Sequence, residues 1–470
     1  MIRPSLILIV ALSAGCVSTP SPSAPLRAGF ATADLTPPAG WRRAGGYDEA
    51  LSTGVHDPLL AKAVVLEQGG ERGAIVVCDL CSIGRDISDA ARQAASRRTG
   101  IPVAHIVISA THTHGGPEYY GVLWEAWHRS AVEKHGRDIH EPIDYVARVV
   151  NACVEAIAEA DRRKTEVSLD HGIARVAGVA FNRRYHLSDG TTVTNPGKRN
   201  PKIVRPAGPV DEDFPIVLFR DLATGKAAGS LSTFALHVAT YGGPTFGADF
   251  PAHLETGLRA KLGEGFISVF GEGAAGDTNH LDVSSERPQS SDTEPQRIGA
   301  AMAESFLRAL PAFRRSAPSL SIRSDRVAVP LQEVTPEQIA RARDALALKL
   351  SPKPAFFVSV EAYRVLWAEK LRARDGESVR EEIQAFRLSD DVAVVTLPHE
   401  VFVELGLAIR QQSPFRTTLV VSLANDVDFY VPTRKAFAEG GYEVSTSPYR
   451  PGGGERLVEA AVAMLQALRR

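Results

Sequence analysis

Two histidines separated by one residue, His112 and His114, stand in Thr111-His112-Thr113-His114 directly after an apolar run. In extended chain, side chains at i and i+2 point to the same side. Neutral imidazole is a common zinc ligand. A strand end followed by Gly115-Gly116-Pro117 is also where α/β proteins place active-site side chains. Two hydrogen-bonded loop histidines would read the same way, so the pair needs partners. His237 follows a second β-rich run, residues 232–236, where a core histidine would also fit. Glu400 ends Leu397-Pro398-His399-Glu400, where a strand gives way to a helix and a helix N-terminal carboxylate is equally at home. Tyr430 and Tyr442 follow the last core strand, at positions that suit amphipathic packing. Arg183, in Phe181-Asn182-Arg183-Arg184, has by default the reading of a surface charge.

The elements that must position these residues alternate between short apolar runs and amphipathic segments. Residues 60–66 and 74–80 read as strands joined at Gly69-Gly70. Residues 86–98 read as a helix, and 104–109 as the strand that delivers the histidine pair. Pro142 suits the start of a helix over 143–160. Strands follow at 216–219, 229–235 and 267–270, the last feeding the Gly-rich run that ends Gly276-Asp277. Residues 295–310 carry Ile298, Met302, Phe306 and Leu310 on one helical stripe. Residues 317–334 are strand-like. Thr335 and Pro336 then begin a helical stretch over 339–350 and 360–374. Strands at 392–397 and 419–424 and helices at 401–411 and 457–468 complete the chain. This alternation predicts an α/β fold: one large mixed-sheet domain with flanking helices, spanning 27–470, with a helical insertion at 335–380.

Composition excludes little, but it excludes something. Lys and Arg number 53 against 55 Asp and Glu, so the basic excess of a nucleic-acid-binding surface is missing. At the N-terminus, Arg3, an apolar stretch over 5–12 and Ser13-Ala14-Gly15-Cys16 read as a secretory signal over 1–16. Small residues before a cysteine resemble a bacterial lipobox, with Ser13 where leucine is usual. The expectation is therefore an exported, envelope-bound lipoprotein anchored at Cys16, or plain secretion. Residues 17–26 have the composition of a tether. Beyond the signal, no run of 18 apolar residues predicts a membrane span. Cys78, Cys81 and Cys153 remain, an odd number that makes no disulfide framework. Cys78 and Cys81 form a CxxC that reads as buried strand-end thiols or a local disulfide rather than half a zinc site.

Taken in order, several segments resemble the neutral ceramidases. Ala110-Thr111-His112-Thr113-His114-Gly115-Gly116-Pro117 resembles their histidine motif, and Gly54-Val55-His56-Asp57-Pro58-Leu59 a segment before it. Gly276-Asp277 resembles their Gly-rich turn and Pro398-His399-Glu400 their Pro-Gly-Glu. Ala424-Asn425 through Tyr430-Val431-Pro432-Thr433-Arg434 resembles their tyrosine segment. The order and approximate spacing agree from residue 27 to about 450. The resemblance implies one zinc ion held by His112, His237, Glu400 and Tyr430, with His114 facing the reacting carbonyl. It implies Tyr442 as a second active-site tyrosine and Arg183 as its basic companion. It also implies hydrolysis of an amide in an N-acyl (sphingo)lipid, or a related N-acyl substrate, by metal-activated water. Two features depart from the family. Asn279 stands where its Gly-Asp-x-Ser turn has serine, a position from which Asn279 can still orient substrate. The chain also closes on a helix, without the family's C-terminal immunoglobulin-like domain. Both bear on ceramide itself rather than on the metal ligands. Other readings of the same scaffold are a zinc hydrolase of non-lipid amides or esters, a non-catalytic envelope binding lipoprotein, and a structural metal protein. The last is disfavoured by the lack of cysteine ligands.

Overall fold

Strands such as Leu60–Gln68 and Glu71–Cys78 are apolar at nearly every position. A side-chain period of two turns such a run into a strand buried on both faces. Ala63 and Val65 face a layer of helices, whereas Val64 and Leu66 face a second sheet. A computed structural model describes residues 24–289, 291–348, 356–427 and 429–470; the expected signal segment and the first part of the tether lie outside the described residues.

The larger sheet has nine strands. Its order is Ile267–Glu272, Ala227–Phe234, Asp213–Asp221, Thr165–Arg175, Arg27–Asp34, Leu60–Gln68, Glu71–Cys78 and Ile106–Ala110, with Arg314–Ser316 added beside Thr165–Arg175. Pairing is antiparallel except at two places: Glu71–Cys78 with Ile106–Ala110, and Ala227–Phe234 with Ile267–Glu272. The second sheet runs Pro318–Pro330, Ser378–Ser389, Val392–Thr396 and Thr417–Val421, its last pair parallel. Val77, Val217, Leu231 and Val269 of the first sheet pack against Phe386, Val394, Leu419 and Val421 of the second.

Helices cover both outer faces. Arg85–Thr99 and Tyr145–Arg162 lie on one half of the large sheet. Phe250–Leu262 and Glu294–Ala309 lie on the other half, burying Phe250, Leu254, Met302 and Phe306. Val403–Gln412 and Gly453–Arg469 back the smaller sheet. Each fully buried side chain of this kind contributes about 1.5–3 kcal/mol. The layers are thus helix, sheet, sheet, helix, within the mixed α/β class expected from the sequence.

The structure adds elements the sequence reading did not place, among them the strand Thr165–Arg175 and the helix Phe250–Leu262. Gly121–His135 is a helix that the sequence did not announce. The strand Ser378–Ser389 starts inside the segment read as helical to residue 380. The helices Pro336–Leu348 and Phe356–Asp375 pack on each other and reach Gly121–His135. Cys78, Cys81 and Cys153 are buried and free, with the Sγ atoms of Cys78 and Cys153 3.6 Å apart, so no local disulfide closes the CxxC. Among the described residues, no helix is long and apolar enough to cross a membrane.

Candidate active site

Each residue of the centre follows the end of a strand. His112 follows Ile106–Ala110, and His237 follows Ala227–Phe234. Glu400 follows Val392–Thr396, and Tyr430 comes after Thr417–Val421. Backbone hydrogen bonds bring these loops together. His112 N donates to Leu80 O at 2.9 Å, and His114 N donates to Val238 O at 3.0 Å. The first bond ties the histidine pair to the CxxC loop, and the second ties it to the loop of His237. From the other sheet, Glu400–Val401 pairs in parallel with Tyr430–Val431, which sets Glu400 beside Tyr430. Asn425, at φ +63°, joins this half to the first, its Oδ1 accepting from Ile108 N at 3.0 Å.

The side chains converge. His112 Nε2 lies 3.1 Å from His237 Nε2 and 3.2 Å from Glu400 Oε2. His114 Nε2 lies 3.2 Å from His237 Nε2. A tetrahedral ion with bonds of about 2.0–2.1 Å separates its ligand atoms by about 3.3 Å, so the spacing of His112 to His237 and Glu400 could hold a metal ion. His112 Nδ1 donates to the Cys81 carbonyl at 2.7 Å, which leaves Nε2 as the presented nitrogen. His112 holds φ +68° while almost fully buried, a backbone state that costs of order 1–3 kcal/mol and is met where surroundings enforce a side-chain direction. Glu400 Oε2 is buried without a hydrogen bond, as a carboxylate reserved for a cation would be. Among the described residues, Cys81–His112–His114 also has ligand spacing and shares His112 with this centre, and two separate clusters do so as well, His128–Asp138–Glu141 and Glu381–His399–Asp426. In both a guanidinium already takes the cation's place: Arg42 sits on Asp138 and Glu141, and Arg85 on Glu381 and Asp426.

The remaining expected residues border this cluster. The Arg183 guanidinium lies 5.1 Å from the Tyr430 ring centroid, held by Glu443 Oε1 and the Gly276 carbonyl, each at 2.8 Å. It is buried, not a surface charge. The Tyr442 ring stands 5.5 Å from Tyr430, and its hydroxyl is 3.2 Å from that of Tyr47. Burial holds the Tyr430 phenol well above its usual range and pushes Tyr442 up to about 12, so both remain O–H donors at neutral pH. Burial pushes His112 down, but Glu400, Cys81 and Glu272 raise it well above the usual imidazole value. Burial and the neighbouring His112 hold His114 and His237 well below it. Asn279 lies at the edge of the site, its amide donating to Asn195 Oδ1 at 2.9 Å. The sequence reading missed Tyr47, Glu443 and Glu272. Glu272 Oε1 is 3.8 Å from His237 Nδ1, and its place in the Gly-rich run was the only signal for it.

Two cavities meet at this cluster, sharing Tyr47, His114, Tyr430 and Tyr442 in their walls. The first also contains Glu118, whose carboxyl burial pushes up to about 8. Because the folded value lies above the unfolded one, stability is fully present below pH 4.5 and is lost as pH rises toward 8. Glu118→Gln removes that titration. The variant and the parent should unfold alike in urea at pH 5. At pH 8.5 the variant should be more stable by about 2–3 kcal/mol, a figure reduced for the group's partial solvent contact. Equal stability at both pH values would contradict this.

Gly276 shows how closely the Gly-rich run approaches the centre. A Cβ there would lie 2.5 Å from the Glu400 carbonyl oxygen, which cannot move without displacing Glu400. Gly276→Ala is expected to cost about 1–3 kcal/mol in a denaturation titration and to weaken metal binding in the same preparation.

The fold and the site together define an α/β protein of the ceramidase architecture with a candidate metal centre. The crystal structure of neutral ceramidase from Pseudomonas aeruginosa superposes with a TM-score of 0.70 at 20% identity, covering 95% of this chain and 75% of that one. A structure described as ceramidase complexed with C2 gives 0.69 at 19% identity with the same coverage. At such identity the likeness is one of fold. Residues 26–243 match the family model described as neutral/alkaline non-lysosomal ceramidase, N-terminal. No curated protein matches the chain.

Proposed function

We propose that the protein is a metal-dependent amidohydrolase acting on an N-acyl lipid such as ceramide or on a related N-acyl substrate, with zinc as its ion. The observation that carries this reading is the convergence of His112, His237 and Glu400, with Tyr430 alongside, where two cavities meet. A divalent ion held by these four residues would supply Lewis acidity, activating water and polarising the amide carbonyl. The chain's own groups account for the rest. Tyr442 and Arg183 supply donors for the oxygen that gains charge when the carbonyl is attacked. His114, facing the junction, carries a proton to the departing amine. Asn279 orients the substrate by hydrogen bonding. Export, with anchoring at Cys16 or plain secretion, belongs to the same proposal and rests on residues 1–16.

The test is hydrolysis of N-palmitoyl-sphingosine and of simpler N-acyl amines by purified protein, before and after chelation. Activity should vanish with chelator and return with zinc. A protein that binds these compounds without turnover when metal-loaded would instead be a binding lipoprotein.

A further inference from the structure

We propose that Cys78 and Cys153 are the two ends of a covalent cross-link, a disulfide that the chain acquires when it folds in an oxidising compartment. Their Sγ atoms lie 3.6 Å apart, and both residues are fully buried. A disulfide bond is about 2.0 Å long, so the sulfurs need a further approach of about 1.6 Å. Cys78 closes the strand Glu71–Cys78, and Cys153 lies in the helix Tyr145–Arg162, which packs on that strand. Among the described residues one other cysteine remains, Cys81, and it belongs to different surroundings. Its Sγ lies 3.8 Å from His112 Nδ1, and its backbone carbonyl accepts from that same nitrogen at 2.7 Å. The CxxC therefore divides. Its first cysteine meets a helix partner, and its second meets the candidate metal centre.

In the closed core the two sulfurs are out of reach of an oxidant, so the exchange precedes closure. The oxidant is another disulfide, carried by a thiol oxidase or by oxidised glutathione. One thiolate attacks that disulfide, and the second displaces the oxidant from the mixed disulfide. One S–S bond forms in this chain and one breaks in the oxidant, which leaves as thiols with both electrons and both protons. The bond closes a loop spanning 75 positions, which contains His112 and His114. A cross-link of that span narrows the unfolded ensemble and so stabilises the fold. That the chain meets such an oxidant rests on the export reading. That these two sulfurs pair rests on their geometry alone.

The experiment refolds the denatured, reduced protein in a mixture of reduced and oxidised glutathione. The product is denatured again and alkylated with iodoacetamide before and after reduction. Peptide mapping should find Cys78 and Cys153 shielded until reductant is added, and Cys81 alkylated at once. Cys81→Ser should keep the link, and Cys78→Ser should release Cys153 as a free thiol. Reductant should lower the urea midpoint of the parent by about 1 M and leave that of Cys153→Ala unchanged. Alkylation of all three thiols without reductant is the result for cysteines that pack only as small apolar groups, and it would overturn the proposal. A Cys78–Cys81 link would do the same. Protein made with its own leader should carry the Cys78–Cys153 link when alkylated in the intact cell. A link formed on refolding and missing there would count against export and leave the cross-link standing.

Discussion

His237→Ala will leave a folded protein without a tightly held metal and with hydrolysis reduced at least a thousandfold. Perturbing only the groups around a metal ligand already costs about 10–100-fold in affinity or activity. Deleting a ligand removes a bond to the ion itself. His237 Nε2 stands within 3.2 Å of both His112 and His114, so its loss also unpacks the two imidazoles against it. The side chain follows a strand rather than lying within one, which is why the fold should survive. Metal content by elemental analysis, together with a thermal unfolding curve, decides the matter. Full occupancy in His237→Ala would remove it from the centre. Glu400→Ala should behave likewise, since its Oε2 has no other hydrogen-bonding role.

The second large effect separates metal binding from chemistry. Tyr442→Phe keeps the ring that packs 5.5 Å from Tyr430 and removes only the hydroxyl. If that hydroxyl stabilises the charged oxygen, kcat should fall about 10²–10³-fold while metal content and KM hold. His114→Ala should lower kcat by a comparable about 10²–10⁴-fold, the range of general acid–base catalysis. The distinguishing measurement is metal content beside kcat. A loss of metal in either variant would make that residue part of the ion's shell. An unchanged kcat would remove it from the chemistry.

What the sequence revealed of this site follows from distance along the chain. The Thr111-His112-Thr113-His114 pair was legible because its chemistry is local: a strand, an alternation and a Gly-Gly turn within a few residues. His237 and Glu400 were ambiguous singly, because a core histidine and a helix-start carboxylate look the same until another strand end arrives beside them. Only the ordered set of motifs joined them. Arg183 read as a surface charge because its counter-ion, Glu443, lies far away in the chain. Tyr47 was missed for the same reason, since its hydroxyl meets that of Tyr442 from the far end of the sequence.

The fold shows the same division. Strands buried on both faces announced themselves as apolar runs. The helix Gly121–His135 did not, because beyond its first turn only Trp127 and Ala131 are buried. Two helices from a later part of the sequence supply the packing that supports it.

His112 and His237 hang from the larger sheet, and Glu400 and Tyr430 from the smaller. The centre is therefore a clasp fastened across two layers, and neither layer owns it. The family match ends at residue 243, so it contains half of the clasp. During synthesis the first two imidazoles emerge long before their partners. With the proposed ligand set, no ion could be gripped by all four until Tyr430 has been made and its segment laid against Glu400. On the proposed reading, metal capture would then be the last act of folding.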